Sequence, residues 1–185
     1  MKKALIAYGT RYGATADTAG TIGETLEQEG MEVDVVDLKR QKVKGVADYD
    51  LVVVGSGIQI NRWTAGPRRF LKRHRQELAG RKLALFVCCG SATPMDDKED
   101  KASTIEKARK DYLEAIASQY GLHPTALGLF GAVYDYNRMS GLFRKTMEPM
   151  KATLEAAGIP QTEPGRYDAR DLEAIRDWAR ALARE

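Results

Sequence analysis

Five short apolar runs, each followed by a longer amphipathic segment, set the strongest limit on how this chain can fold. The runs fall at about 3–8, 33–38, 51–56, 82–89 and 125–133, and the segments at about 14–29, 66–79, 102–120, 141–157 and 169–184. Strand-length runs that alternate with helix-period segments mark successive strand–helix–strand units around a parallel sheet. Runs one, three and four, which contain "ALIAYG", "LVVVGS" and "KLALFVCC", are apolar almost throughout instead of alternating. Strands of that kind are buried on both faces, so helices should cover both sides of the sheet. Gly30, Gly80, Gly121 and Gly158 stand where four of the helices should stop. In the closing segment Leu172, Ile175, Trp178, Ala179 and Leu182 share one stripe, the pattern of a helix laid on a sheet.

A chain of 185 residues has the length of one domain, and we read residues 1–185 as a single unit with a full core. Lys plus Arg number 29 against 26 Asp plus Glu, a net charge of +3, so the total calls for no nucleic-acid partner. The longest apolar stretches fall well short of the roughly 18–20 residues of a membrane span. The start "MKKALIAYG" runs straight into the first turn without a small-residue cleavage site, which makes it a first strand and the expected location cytoplasmic. Cys88 and Cys89 are adjacent, and the chain has two histidines; neither a disulfide framework nor a metal site is expected. The cysteine pair also fails a C-x5-R phosphatase loop, because the sixth residues onward are Pro94 and Met95. It reads as small apolar filler at the end of a buried strand.

The turn "GTRYGAT" between strand one and helix one carries the clearest chemistry. It brings free backbone N–H groups and a helix N-terminus to one point, which is an anion site. Thr10 and Thr15 add hydroxyls, and Gly13 can take a positive φ that lets the backbone wrap closely. A capped helix start uses the same residue types, but the position after strand one of an open α/β sheet is where ligands of such sheets bind. There is no G-x-G-x-x-G and no G-x-x-x-x-G-K-[ST] here, so the anion should be a simple phosphate monoester. A phosphoryl-accepting receiver domain is excluded by chemistry: the strand ends read Tyr8-Gly9-Thr10 and Gly55-Ser56, with no acidic residue.

The stretch Thr10-Arg11-Tyr12-Gly13-Ala14-Thr15 resembles the T-x-[TSD]-G-x-T phosphate loop of the flavodoxin-like proteins, which hold FMN. Tyr12 stands where many of them carry Ser or Thr. The resemblance implies a three-layer sandwich whose five-stranded parallel sheet has the order 2-1-3-4-5. Within that family, "GSGIQINRWTAGPRRFLKRH", "GAVYDYNRMSGLFRKTM" and "YDARDLEAIRDWA" look like segments of the menaquinone-dependent protoporphyrinogen dehydrogenases. That likeness implies an FMN-dependent oxidoreductase passing electrons from a reduced substrate, a porphyrinogen, to a quinone. The alternative is a flavodoxin-type electron carrier serving an acidic redox protein.

On this reading loop one takes the phosphate, and the flavin ring lies between Ser56, Gly57, Ile58, Gln59, Ile60 and Asn61 on one side and Cys89, Gly90, Ser91 and Thr93 on the other. The backbone around Gly57 can face flavin N5. Trp63 and Tyr134 or Tyr136 are candidates to cover the ring or the substrate. The run from Arg62 through Arg68, Arg69, Lys72, Arg73 and Arg75 has no acid before Glu77; it suits a solvated helix face, or recognition of an acidic partner, a substrate carboxylate or an anionic membrane surface. Arg138, Arg144 and Lys145 add charge after strand five, near Met139, Leu142, Phe143, Met147 and Met150. That mixture fits a peripheral contact at the inner face of the membrane. The chemistry belongs to the flavin, and no Asp, Glu or His is marked as a general base.

Overall fold

The computed structural model describes residues 1–93 and 101–184, leaving most of the connection "GSATPMDDKEDKA" and the Gln59 side chain outside the described set. Five parallel strands form the main sheet: β1 (Lys3–Gly9), β2 (Glu32–Asp37), β3 (Leu51–Gln59), β5 (Lys82–Cys88) and β6 (Ala126–Phe130). Their order is β2-β1-β3-β5-β6, with the two-residue β4 (Arg62–Trp63) folded back antiparallel on β3. Counted as parallel strands, this is the expected 2-1-3-4-5.

Alternation along the central strands sends neighbouring residues to opposite faces. Leu5, Val52, Val54, Leu83 and Leu85 point toward α2 (Ala65–Leu78), packing on Phe70, Leu71 and Leu78, with Leu113 and Ile116 beyond. Ile6, Val53, Ala84 and Phe86 point the other way, toward α1 (Ala14–Gln28) and α7 (Leu172–Arg184), meeting Ile22, Leu26, Ile175 and Leu182. The α7 stripe read from the sequence is therefore sheet cover, and Trp178 stands edge-on to Phe86 and Phe130.

Three expected elements differ. The helix at 102–120 is α3 (Lys101–Arg109), a π-helical stretch at Lys110–Glu114, and α4 (Ala115–Tyr120). Within the wider turn the Tyr112 carbonyl accepts the Trp63 indole N–H at 2.6 Å, a side-chain donor of the kind that displaces the regular helical bond. The helix at 141–157 is split into α5 (Gly141–Met147) and α6 (Met150–Ala156) at Pro149, which has no N–H to donate. The last helix starts at Leu172, not 169, where the Asp171 carboxylate accepts the Ala174 N–H at 2.9 Å.

The fifth apolar run also ends early. After Phe130 the chain leaves the main sheet and forms a second, antiparallel sheet of order β7-β9-β8 from β7 (Val133–Asp135), β8 (Gln161–Glu163) and β9 (Arg166–Asp168). Gly131 makes the departure possible, since a Cβ there would collide with the Ala169 carbonyl. With α5 and α6 this sheet encloses a third core of Tyr134, Tyr136, Met139, Leu154, Ile159 and Tyr167. No helix among the described residues is long and apolar enough to cross a membrane.

Candidate functional site

The carboxyl ends of β1, β3 and β5 open into one cavity of about 310 Å³, within the roughly 300–1,000 Å³ common for small-molecule sites. Its floor is the turn between β1 and α1. Gly9 ends β1 where α2 comes so close that a Cβ would strike Thr64 and Pro67. Gly13 is the residue before α1 and has φ +101°, a left-handed conformation that favours glycine. Its N–H donates to Thr10 Oγ1 at 2.9 Å, which closes the turn, and no side chain caps the helix. The first N–H groups of an α-helix have no intrahelical acceptor, and here Ala14 and Thr15 bring that first turn to the cavity wall.

Gly57, Ile58 and Ile60 of the β3–β4 hairpin form one side of the cavity, and Cys88, Cys89 and Gly90 the other. The hairpin turns on Ile60 and Asn61, whose φ values are +48° and +55°. Two consecutive positive φ values mark a turn matched to strand twist, usually filled by Asn or Gly; a β-branched residue there is strained. Ile60 is nevertheless 88% exposed at the cavity rim. Opposite the turn, Tyr134 from β7 and Met139, Phe143 and Met147 from the following segment complete an apolar wall. Phe143 stacks on Tyr12 with ring centroids 5.7 Å apart, and the Arg11 guanidinium lies 5.2 Å from the other ring's centre, that of Tyr12.

Several site residues read from the sequence line this cavity together: Thr10, Arg11, Tyr12, Ala14, Thr15, Gly57, Ile58, Ile60, Cys89, Gly90 and Tyr134. Others lie elsewhere. Ser56 is buried behind the wall, its hydroxyl donating to the Gly57 carbonyl at 2.9 Å and its oxygen accepting the Thr64 N–H at 2.9 Å. The Gly57 carbonyl thus has an internal donor. Ser91 is half-buried in the 3-10 turn Gly90–Ala92, and Thr93 is buried with its hydroxyl 3.4 Å from that of Tyr134. Trp63 packs in the core, and with Asn61, Arg62 and Arg68 it borders a separate depression of about 290 Å³. Arg69 faces a third depression with Arg73. The basic run is therefore spread over different surfaces. Tyr136 is buried in the third core, donating its hydroxyl to the Met147 carbonyl at 2.8 Å. Thr64, Ala132 and Val133 line the cavity without having been singled out in the sequence; only tertiary placement brings them there.

Burial disfavours the thiolate at both cysteines. Burial pushes Cys88 up to about 11, against the smaller pull of its bond to Thr18 Oγ1 at 3.4 Å, and burial also raises Cys89. Burial raises the Tyr134 phenol as well. The cavity therefore offers neutral donors, an apolar wall and one electropositive end at α1. Among the described residues no group of three or more His, Cys, Asp or Glu side chains is placed to hold a metal ion.

A flavodoxin domain model matches residues 5–157. The chain is 29% identical over 178 residues to a protoporphyrinogen IX dehydrogenase [quinone] of Leishmania major, an alignment covering 96% of this chain and 70% of the relative. It is 29% identical over 84 residues to the protein of the same name from Escherichia coli strain K12, covering 45% of this chain and 46% of that one. Among solved structures, a flavodoxin from the domain Archaea superposes with a TM-score of 0.56 at 14% identity, covering 98% of this chain and 96% of that one. Two-electron reduced Megasphaera elsdenii flavodoxin gives 0.54 at 16% identity, covering 98% and 99%.

The residues present fit a flavin phosphate. The uncapped helix start offers N–H donors to a phosphate. The Tyr12 hydroxyl is buried with no hydrogen-bond partner among the described residues, a donor that a bound group can engage. A Cβ on Gly57 would press on Thr15 Oγ1 at 3.0 Å and one on Gly90 on the Tyr134 hydroxyl at 2.9 Å, so glycine keeps both walls open. The chain belongs to the flavodoxin domain family, with FMN as its cofactor.

Proposed function

We propose that the chain is an FMN-dependent oxidoreductase of the quinone-linked protoporphyrinogen dehydrogenase type, taking electrons from a reduced porphyrinogen-like substrate and passing them to a quinone. The observation that carries this reading is the alignment with the Leishmania major dehydrogenase, which runs over 96% of this chain and so includes the segment that builds the apolar wall. Bound FMN supplies the redox chemistry, since flavins accept and return electrons singly or in pairs.

The chain's part is placement. The turn Thr10–Thr15, with Arg11, Tyr12, Gly13 and Ala14, holds the phosphate. Gly57, Ile58 and Ile60 flank the ring on one side, and Cys89 and Gly90 on the other. Met139, Phe143 and Met147 exclude water and give a flat apolar substrate a surface to rest on. Tyr134 keeps its proton and can donate it in a hydrogen bond at the wall. The exposed Ile60 and Leu142, 88% and 82% accessible, with Arg144 and Lys145 beside Leu142, suit a shallow contact with an anionic membrane in which a quinone dissolves.

The test is anaerobic reduction of FMN-loaded protein followed by a quinone. The proposal expects reoxidation by quinone and consumption of porphyrinogen under turnover; neither occurring would refute it. The second reading, an electron carrier for an acidic redox protein, draws on Arg62 and Arg68 at the second depression. A titration that halts after one electron, with no reaction toward quinone, would favour it.

A further inference from the structure

We propose that Arg138 is a phosphate ligand of the cofactor site, delivered to the β1–α1 turn by the small antiparallel sheet. The inference rests on the FMN reading and moves Arg138 from a partner surface to the cofactor's charged end.

Arg138 follows β7 at the close of a tight turn. Its backbone N–H bonds the Asp135 carbonyl at 3.2 Å, and its Nε lies 3.3 Å from Asp135 Oδ2. Asp135 is itself buried, and its Oδ1 accepts the Asn137 N–H at 3.0 Å. A carboxylate held in this way fixes the direction in which the guanidinium points. It points at the turn: Nη1 donates to the Tyr12 carbonyl at 3.4 Å and occupies the space that a side chain on Gly13 would fill. The left-handed glycine before α1 thus has a second use, admitting a cation against the helix N-terminus. The bonds just described engage two of the five N–H donors of a guanidinium, and the side chain is 63% exposed, so the planar fork retains donors for an anion.

The same sheet removes an opposing charge. Asp17 is the acidic residue in the first turn of α1, where its carboxylate would repel a phosphate. Arg166 of β9 reaches it at 2.9 Å. One arginine of the small sheet neutralises the acid on the helix, and the arginine just past β7 faces the turn. A phosphate loop built on threonine hydroxyls and backbone N–H groups gains a guanidinium donor by this route, its charge shared with the Asp135 carboxylate.

The experiment is titration of FMN and of riboflavin, followed by flavin fluorescence, into the whole chain and into Arg138→Gln and Arg138→Lys. Riboflavin has the ring without the phosphate. The expected result for Arg138→Gln is a loss of FMN affinity of about 10- to 100-fold, the range of a charge-assisted hydrogen bond, with riboflavin affinity unchanged and the Lys variant intermediate. Equal weakening toward both flavins would overturn the proposal, because it would mean that Arg138 only supports the turn. Unchanged FMN affinity would overturn it too. An unsubstituted chain that binds neither flavin would overturn the cofactor reading itself, and this inference with it.

Discussion

A methyl group added at two glycines should move stability in opposite directions, because one faces a wall of ring carbons and the other faces nothing. Gly55 lies mid-β3, paired with Tyr8 of β1 and Phe86 of β5. A Cβ there would overlap three carbons of the Phe86 ring. That ring is fully buried, with Phe130 at 6.0 Å and Trp178 at 6.3 Å between centroids, so it has little room to swing aside. Overpacking of this kind costs roughly 1–3 kcal/mol, and the flanking rings place Gly55→Ala at about 3. For a domain of this size about 2–4 °C of melting temperature accompanies each kcal/mol, so the fall should be about 6–12 °C. Gly20 lies within α1, and a Cβ there has no neighbour within 4 Å. Ala is favoured over Gly in a helix interior by about 0.5–1 kcal/mol, so Gly20→Ala should raise the melting temperature by about 1–4 °C. Thermal melts of the two variants beside the parent decide it. A Gly55→Ala protein as stable as the parent, or a destabilised Gly20→Ala, would refute the packing of β3 against β5 and α1 described above.

Other outcomes follow from the same structure. Replacing Ile60 by Asn, which tolerates positive φ, should raise stability by about 1 kcal/mol; a drop in the thermal melt would mean that the hairpin is not strained. Arg170 pairs with Asp168 at 2.6 and 2.8 Å and donates to Thr18 Oγ1 at 3.2 Å, so Arg170→Met should cost about 1–3 kcal/mol in urea melts by leaving the buried carboxylate only Arg166 at 3.7 Å and the backbone N–H of residue 170. Burial pushes the Asp168 carboxyl up, but the Arg170 bonds outweigh it and hold the group below its ordinary 3.8. The pair's contribution is therefore present above that value and lost as pH falls through the folded-state value; acid melts of Asp168→Asn should show a shallower decline below about pH 4. With the Cys88 thiol pushed up to about 11, alkylation of the native protein at pH 8 should leave Cys88 unmodified until urea unfolds the chain. Because the unfolded chain releases that proton first, Cys88 makes the fold less stable as pH rises above the ordinary 9.0.

The main sheet was legible because strands buried on both faces are written as unbroken apolar runs, and because residues 51–55 of β3 and 83–88 of β5 include no polar side chain to confuse the period. The turn between β1 and α1 was legible as an open helix start because few residue types suit one: Gly13 takes φ +101° and no side chain caps the helix. The small sheet was not. Its strands have three residues each, β8 is exposed throughout, and none is long enough to display a period. The one local signal was Pro164-Gly165, a turn dipeptide, at which Gly165 takes φ +79° between β8 and β9. Without that sheet Arg138 reads only as a charge after strand five, and nothing in the sequence links Arg166 to Asp17 or Arg138 to the Tyr12 carbonyl, the contacts the sheet makes. Trp63 misled for a related reason. An aromatic two residues beyond a proposed ring-binding loop invites stacking, yet its indole N–H is taken by a carbonyl in the π-helical turn, 49 residues later, and no local pattern predicts that bond. Met139, Phe143 and Met147 were visible as an apolar stripe, but Pro149 and the turn after β7 decide which cavity they border.

Backbone amide NMR of the chain titrated with FMN locates the bound cofactor residue by residue. With FMN in the cavity, the largest shifts should fall on Gly13, Ala14 and Thr15 at the turn and on Gly57, Ile58, Ile60, Cys89 and Gly90 around the ring, and riboflavin should reproduce the second group but not the first. Shifts centred instead on Asn61, Arg62, Trp63 and Tyr112, the border of the second depression, would contradict that placement.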